Sequence, residues 1–451
     1  MTGTARPAPL SWPRADSPGR VASGAWHLWP AMLVAYAALM PRELSIVLSG
    51  ASLAPYRLVL LAVLPYLLFQ LLRAPVKAHW IDLVVAVVST WVIVSLLYHE
   101  PLARAVEVGL AMALDFGLAY LVGRLCVRNT RDFRRLFVVL LPGLAVVTSI
   151  LMVESFEQRH ILRPFVADLL GRPPPVLQDE ERLGLFRAAG PFPHQILGGV
   201  LTATLLPIAW FAVADLRLRA LAVLVCCGMI FTVSTAAIMA FLLCLTLIAV
   251  YHTQLRSGLP LFALVAIAVI TFVALVFAAS ESGLFSFVAR RLTLSPGSGQ
   301  WRVLIWQYAG AEALAHPLLG IGLRDWIRPS WMVTDSIDAH FLLWSMRFGM
   351  PAGIGVLMVM LGAAIHLLRS ARFQTLPARG VSTGIAFSIL AIAFSGFTVA
   401  LWDGVAAWMI MLSGIAVSIG TPPASLRQPA DAVPGEGRTT RVPGATAHPH
   451  T

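Results

Sequence analysis

Cysteine is scarce in this chain: four among 451 residues, at Cys126, Cys226, Cys227 and Cys244, all within or beside long apolar runs. With none in either long polar loop, a disulfide framework and a CxxC metal signature are both excluded. Charge is scarce as well. Asp, Glu, Lys and Arg make up 12% of the residues against 58% apolar ones, a balance that excludes a soluble protein of this length. An Ala-x-Ala-like cleavage site is also missing after the first apolar helix, so that helix is expected to be retained rather than removed as a signal peptide.

What the chain has in place of charge is long hydrophobic runs. A helix of about 17 to 25 apolar residues crosses a hydrocarbon core of roughly 30 Å while satisfying its own backbone hydrogen bonds. Twelve such runs stand near residues 28-48, 57-72, 80-98, 104-126, 134-154, 191-214, 217-232, 235-251, 259-279, 341-368, 382-400 and 403-420. The chain therefore reads as an all-α, polytopic helical membrane protein with about 12 transmembrane helices. Pro41-Arg42-Glu43 interrupts the first run, which predicts a broken or tilted helix there. The apolar stretch from Leu216 to Tyr251 is too long for one crossing, and Thr232-Val233-Ser234-Thr235 divides it into a tight hairpin.

Arginines set the orientation, because basic residues in short loops stay on the cytoplasmic side. Arg73 and Lys77 follow the second run, Arg124 to Arg135 the fourth, Arg217 and Arg219 the sixth, Arg256 the eighth, and Arg369, Arg372 and Arg379 the tenth. With Arg6, Arg14 and Arg20 before the first run and Arg427, Arg438 and Arg441 after the last, every second loop is basic and both termini are expected in the cytoplasm. This alternation accounts for most of the formal charge of +11, so nucleic acid is rejected as a partner. Segments 1-24 and 421-451, rich in Pro, Gly, Thr, Arg and Ala, read as disordered cytoplasmic tails around a membrane domain at 25-420. Two long loops, 155-190 and 280-340, fall on the outer face, the larger between the ninth and tenth helices.

Ionisable residues inside spans are costly in lipid and are functional candidates by default: Asp82, Arg104, Glu107, Asp115, Glu154 and Asp403. Arg104 and Glu107, three residues apart, read as an ion pair near the outer interface. Glu154, at the outer end of its span, is the best placed of the set to line a cavity.

The outer loops carry the chemistry. The first ends by delivering Arg182, Arg187 and His194 to the mouth of the sixth span. Arg187 has the planar fork that clamps a phosphate; the alternative is an interfacial arginine paired with lipid headgroups or with Glu180 or Glu181. In the second loop Arg302 and Trp306 share one face of a surface helix, where the indole stacks on a sugar or anchors in the headgroups. His316-Pro317 reads as a helix end, and Gly320 and Gly322 as a tight turn. Asp338 precedes the apolar start of the tenth helix, which makes it an N-cap, a reactive carboxylate, or both.

This ordered set resembles the O-antigen ligase and polymerase family of bacterial envelope glycosyltransferases. The resemblance rests on Arg187-x-x-Gly190-Pro191-Phe192-x-His194, on Arg302 with Trp306, on His316-Pro317-Leu318-Leu319-Gly320-Ile321-Gly322, and on the segment from Asp338 to Gly349. In that family a His-Asn pair stands eleven residues before a Gly; counting back from Gly349 gives Asp338-Ala339, with His340 displaced by two. An Asp at that place, with Arg347 before the glycine, is similar to the variant of exopolysaccharide polymerases. A second departure is Ser234-Thr235, where relatives often carry Ser-Arg, and Arg324, Arg328 or Arg347 are the substitutes the sequence offers.

The resemblance implies an enzyme of the bacterial inner membrane that transfers an oligosaccharide from undecaprenyl pyrophosphate to an acceptor glycan or glycolipid at the periplasmic face. Membrane lipids are its other partners, and no cofactor or metal is implied. Asp338 and His340 become the candidate catalytic bases, Asp338 by alignment and His340 because unperturbed imidazole titrates near 6.5. Arg187, His194, Arg302, Trp306, His316, Arg324 and Arg347 become the candidate pyrophosphate and substrate ligands. The Asp-type motif favours a polymerase of exopolysaccharide, capsule or O-antigen repeats; the alternatives are a ligase to lipid A core or another acceptor, a lipid-linked oligosaccharide flippase or other transporter, and a non-catalytic relative. Transporters tend to show internal repeats and polar groups near the midplane, and this chain shows no convincing repeat and keeps its polar groups outside.

Overall fold

A computed structural model describes residues 26–48, 51–73, 76–258, 296–332 and 334–421. Both expected tails, apart from Thr421, and the expected ninth span at 259-279 lie outside the described residues. Among the described residues nine helical segments are long and apolar enough to cross a membrane, which makes this a multi-pass membrane protein. In chain order they are α2 (Pro55–Arg73), α3 (Trp80–His99), α4 (Leu102–Cys126), α5 (Thr130–Glu157), α7 with α8 (Gln195–Thr204, Leu206–Ala212), α10 (Thr235–Ser257), α13 (Met350–Ala371), α14 (Leu376–Gly396) and α15 (Asp403–Gly420).

Two of the expected spans are shorter helices. The first is α1 (Trp29–Ala37), nine residues or ~14 Å of rise, which ends in a turn before Pro41. The chain then makes a 3-10 turn at Arg42–Leu44 and a small hairpin, β1 (Ile46–Leu48) on β2 (Ala51–Leu53). The seventh is α9 (Leu216–Cys226) continued as a 3-10 turn at Cys227–Thr232, and the hairpin into α10 turns at Val233, which has φ 42°. The tenth is broken into α12 (His340–Phe348) and α13 at Gly349.

Helix starts follow the caps that the sequence supplies. The Asn129 side chain accepts from the Asp132 N–H at 2.9 Å, Asp215 from Leu218 N–H at 2.8 Å, and the His194 Nδ1 from Ile196 N–H at 3.1 Å. The closest helix crossing joins α4 to α15, where a Cβ added to Gly123 would lie 2.0 Å from the Met411 carbonyl oxygen and one on Gly414 2.1 Å from that of Tyr120. Backbones in direct contact exchange close dispersion contacts, the main attraction available between helices in lipid.

Several charges within the bundle are paired, although Asp403 keeps a buried Oδ2 with no hydrogen-bond partner among the described residues. Arg57 donates to Asp115 at 2.6 Å, and Tyr56 adds a hydroxyl at 3.0 Å. Asp82 accepts from Tyr120 at 2.5 Å and from Arg124 at 3.1 Å. The expected Arg104–Glu107 pair forms at 3.8 Å on an exposed surface. Glu154 is buried, with its carboxylate spent on backbone donors. One carboxylate oxygen accepts from the N–H groups of Ile161 and Leu162 at 3.0 and 3.1 Å, the other from Ala189 and Gly190 at 3.1 and 2.8 Å, so it ties both ends of the loop after α5 together.

That loop holds α6 (Leu162–Leu169) and a two-residue-turn hairpin, β3 (Glu181–Arg182) on β4 (Leu185–Phe186), whose turn residues Leu183 and Gly184 have φ 54° and 75°. The second long loop contains α11 (Pro296–Ala315), twenty residues carrying Arg302 and Trp306. These loops gather at the ends of the bundle formed by the N-termini of α7, α10 and α15 and the C-terminus of α14. Arg124, Arg256, Arg369 and Arg379 lie at the opposite helix ends.

Candidate active site

A cavity of about 410 Å³ opens between the two long loops and the helix ends beneath them. Its charged lining and the polar groups beside it come from four places, and a fifth adds hydroxyls. The β3–β4 hairpin supplies Glu180, Arg182 and Arg187; the start of α7 supplies His194; α11 supplies Arg302; and the segment before α12 supplies Ser336 and Asp338. Trp301 and Trp402 add indole faces, and Ser234 with Thr235 closes the side at the α9–α10 hairpin.

Three guanidinium groups therefore share one cavity with two carboxylates. Arg187 is 2% exposed; it donates to Glu180 and, at 3.3 Å, to the Thr232 carbonyl, which fastens the hairpin to the turn before α10. Arg182 also reaches Glu180, at 3.3 Å. Arg187 thus makes the Glu180 pair that the sequence offered, and it also lines the cavity. Arg302 differs. Its Nε is buried with no hydrogen-bond partner, and the charges that act on it are Asp338 and Arg182. Burial first, then the neighbouring Arg182, lowers the Arg187 pKa, and burial lowers that of Arg302 against the attraction of Asp338. Arg302 Nε is therefore a buried donor short of an acceptor, the kind of group that an anionic oxygen satisfies.

Burial, and then Arg187, also holds His194 below the usual imidazole value, so it is neutral near pH 7. Its Nδ1 is committed to the Ile196 N–H, which leaves Nε2 as the protonated nitrogen. His194 is therefore a hydrogen-bond donor and not a base.

Asp338 accepts from the Ser336 hydroxyl at 3.0 Å and makes no cap: helix α12 begins after Ala339, which has no side-chain cap hydrogen bond. The N-cap alternative for Asp338 falls away. His340 lies behind the cavity wall. It is 2% exposed, its Nδ1 accepts from the Leu401 N–H at 3.3 Å, its own N–H donates to the Val399 carbonyl at 3.1 Å, and Phe341 and Trp344 cover the ring. Burial lowers its pKa to about 4. Trp306 stands at the same wall, donating its indole N–H to the Phe397 carbonyl at 3.0 Å and stacking on Phe397. Together they hold the segment that carries Trp402.

The other sequence candidates sit elsewhere. His316 is exposed at the end of α11 against Glu312. Arg324 donates to His99 at 2.7 Å, and Arg347 donates to the carbonyls of Gly322 and Arg324. These three, with Arg328 on Asp325 at 2.5 Å, do not line the cavity. They belong to a joint in which the turn after His316 docks on the break at Gly349: Ile321 and Gly322 N–H donate to the carbonyls of Met346 and Arg347, both at 2.9 Å, and Met350 N–H to Pro317 at 2.7 Å. Gly349 has φ 90°, and a Cβ there would lie 1.7 Å from the Leu318 carbonyl oxygen. The guanidiniums that share the cavity with Thr235 are Arg182, Arg187 and Arg302, none of them among the three substitutes that the sequence offered. Trp402 gave no local signal in the sequence, since it merely opens an apolar run, and Glu180 entered only as a pairing alternative for Arg187.

The fold and the cavity define a polytopic helical membrane protein with a cation-rich polar chamber at one end of its bundle. Residues 220–357, under half of the chain, match the family model for O-antigen ligase, which bears out the resemblance to the O-antigen ligase and polymerase family over that segment. The matched segment includes Ser234, Thr235, Trp301, Arg302, Ser336 and Asp338 of the cavity and the whole Gly349 joint. No curated protein matches the chain.

Proposed function

We propose that the cavity transfers an oligosaccharide from undecaprenyl pyrophosphate to a hydroxyl of a second glycan, as a polymerase of envelope repeat units acting at the periplasmic face of the inner membrane. The observation that carries this reading is the convergence of Arg182, Arg187 and Arg302 with a single unshared carboxylate, Asp338, in one cavity. Asp338 takes the proton of the acceptor hydroxyl, whose oxygen attacks the anomeric carbon. The bond from that carbon to the phosphate oxygen breaks, and its electron pair leaves on the pyrophosphate. The three guanidiniums and the His194 Nε2–H meet the charge that develops there, which is where preorganised donors lower a barrier. Trp301 and Trp402 offer apolar faces to sugar rings. His340 supports the wall and does not take the proton.

Asp338→Asn keeps the shape and removes the base. It is expected to lower transfer by about a thousandfold, within the range general-base removal gives, with unchanged thermal stability. The test is turnover of a purified lipid-linked repeat, with polymer length in a complemented deletion strain as the cellular readout. Full activity of Asp338→Asn would sink the assignment. The same strain separates polymerase from ligase: single repeats at the surface indicate a lost polymerase, and finished polymer held on the carrier indicates a lost ligase.

A further inference from the structure

A second groove, of about 410 Å³, lies at the basic ends of the helices, on the outside of the pair α3 and α13. Along α13 its lining runs Ile354, Met358, Leu361, Ile365 and Arg369, a stripe at helical spacing ~22 Å long. Ile354, Met358 and Ile365 are 48%, 44% and 45% exposed, so the stripe is an outer face of the bundle. Trp80 forms the opposite wall, lying so close over Gly362 that a Cβ there would be 2.5 Å from the ring. An apolar channel of that length exceeds half of a roughly 30 Å hydrocarbon core, the depth available to one acyl chain.

The basic end distinguishes this groove from an ordinary lipid-facing surface. Arg369, exposed in the last turn of α13, makes no hydrogen bond or ion pair among the described residues. His366 beside it is occupied, bonding Thr421 at 3.0 Å and packing on His79. We infer that this groove is a binding site for an anionic phospholipid, with the headgroup phosphate on Arg369 and one acyl chain along the stripe against Trp80. A zwitterionic lipid fits the channel equally well but brings no net charge to the guanidinium, and basic pockets at the cytoplasmic ends of helices recognise anionic headgroups in this way.

The inference stands apart from the transfer reaction and is tested without it. Purified full-length protein is equilibrated with equal amounts of phosphatidylglycerol and phosphatidylcholine, and the lipid retained is counted by native mass spectrometry. Phosphatidylglycerol is expected to be retained about fivefold over phosphatidylcholine, the ratio given by roughly 1 kcal/mol per basic side chain near the surface. Arg369→Gln should bring that ratio close to one, while Arg372→Gln, exposed one turn on but outside the groove, should keep it. Met358→Trp, which fills the channel from an exposed position, should lower retention of both lipids. Equal retention by the native protein, an Arg372→Gln loss as large as that of Arg369→Gln, or full retention by Met358→Trp would each overturn the site.

Discussion

Arg302 and Arg347 lie in the same motif-bearing part of the sequence, and their guanidiniums have opposite fates. Arg302 is left in a cavity with a buried Nε that meets no acceptor, while Arg347 spends its donors on the Gly322 and Arg324 carbonyls. The first keeps a donor unspent beside the cavity and the second closes a backbone joint. The difference teaches that a cluster of polar residues in sequence is two devices in space: a chamber built from Arg302 and Asp338, and a hinge-like seam built from residues 316–324 and 346–350. A substitution in the seam should cost folding, and one in the chamber should cost turnover.

The seam should give the larger effect. Gly349→Ala puts a methyl into the Leu318 carbonyl at a φ of 90°, so the seam must open rather than adjust. A loss of about 3 kcal/mol or more is expected, the scale of backbone strain joined to a clash between packed elements. Thermal unfolding in detergent reads it, and an unshifted melting temperature would break the distinction between seam and chamber. The chamber counterpart is Arg302→Ala. It should lower transfer about a hundredfold, as loss of one preorganised donor does, and leave the melting temperature in place. Arg324→Ala sharpens the contrast: its group is exposed and off the cavity, so transfer should stay within about twofold. If Arg324→Ala and Arg302→Ala cost the same, the chamber is drawn in the wrong place.

What was legible in the sequence divides along the same line. Apolar runs are a one-dimensional signal, so the nine long helices could be read directly, and Pro41 announced the break after α1. The convergence of Arg187, His194, Arg302 and Asp338 was reachable through motif resemblance, because Arg187, His194 and Asp338 precede helices at one end of the bundle and Arg302 lies in the loop helix over them. The destination of His316, Arg324 and Arg347 was not, because it depends on how the chain near Pro317 meets Gly349, a contact no local pattern encodes. Glu154 shows the same limit: a carboxylate at a span end looks like a site until the four backbone donors from the two ends of the loop after α5 are found on it.

His340 gives the finest test of the comparison, since it lies within the same motif, behind the chamber wall, and acts there only as a neutral ring. Burial holds its pKa at about 4, against roughly 6.5 in the unfolded chain. Between those values the unfolded state binds a proton that the folded state refuses, so folding is favoured above the unfolded value and loses that stability as pH falls towards 4. A depression of this size corresponds to an acid-side loss of about 3 kcal/mol at most. His340→Gln retains an acceptor for the Leu401 N–H but no titrating group, and its melting temperature should vary less between pH 6.5 and 4 than that of the native protein. Its transfer activity should keep the native pH profile if Asp338 takes the proton as proposed. If His340→Gln instead removed the ascending limb of the rate profile and left acid stability untouched, His340 would be the base, and the wall would have to open for it to act.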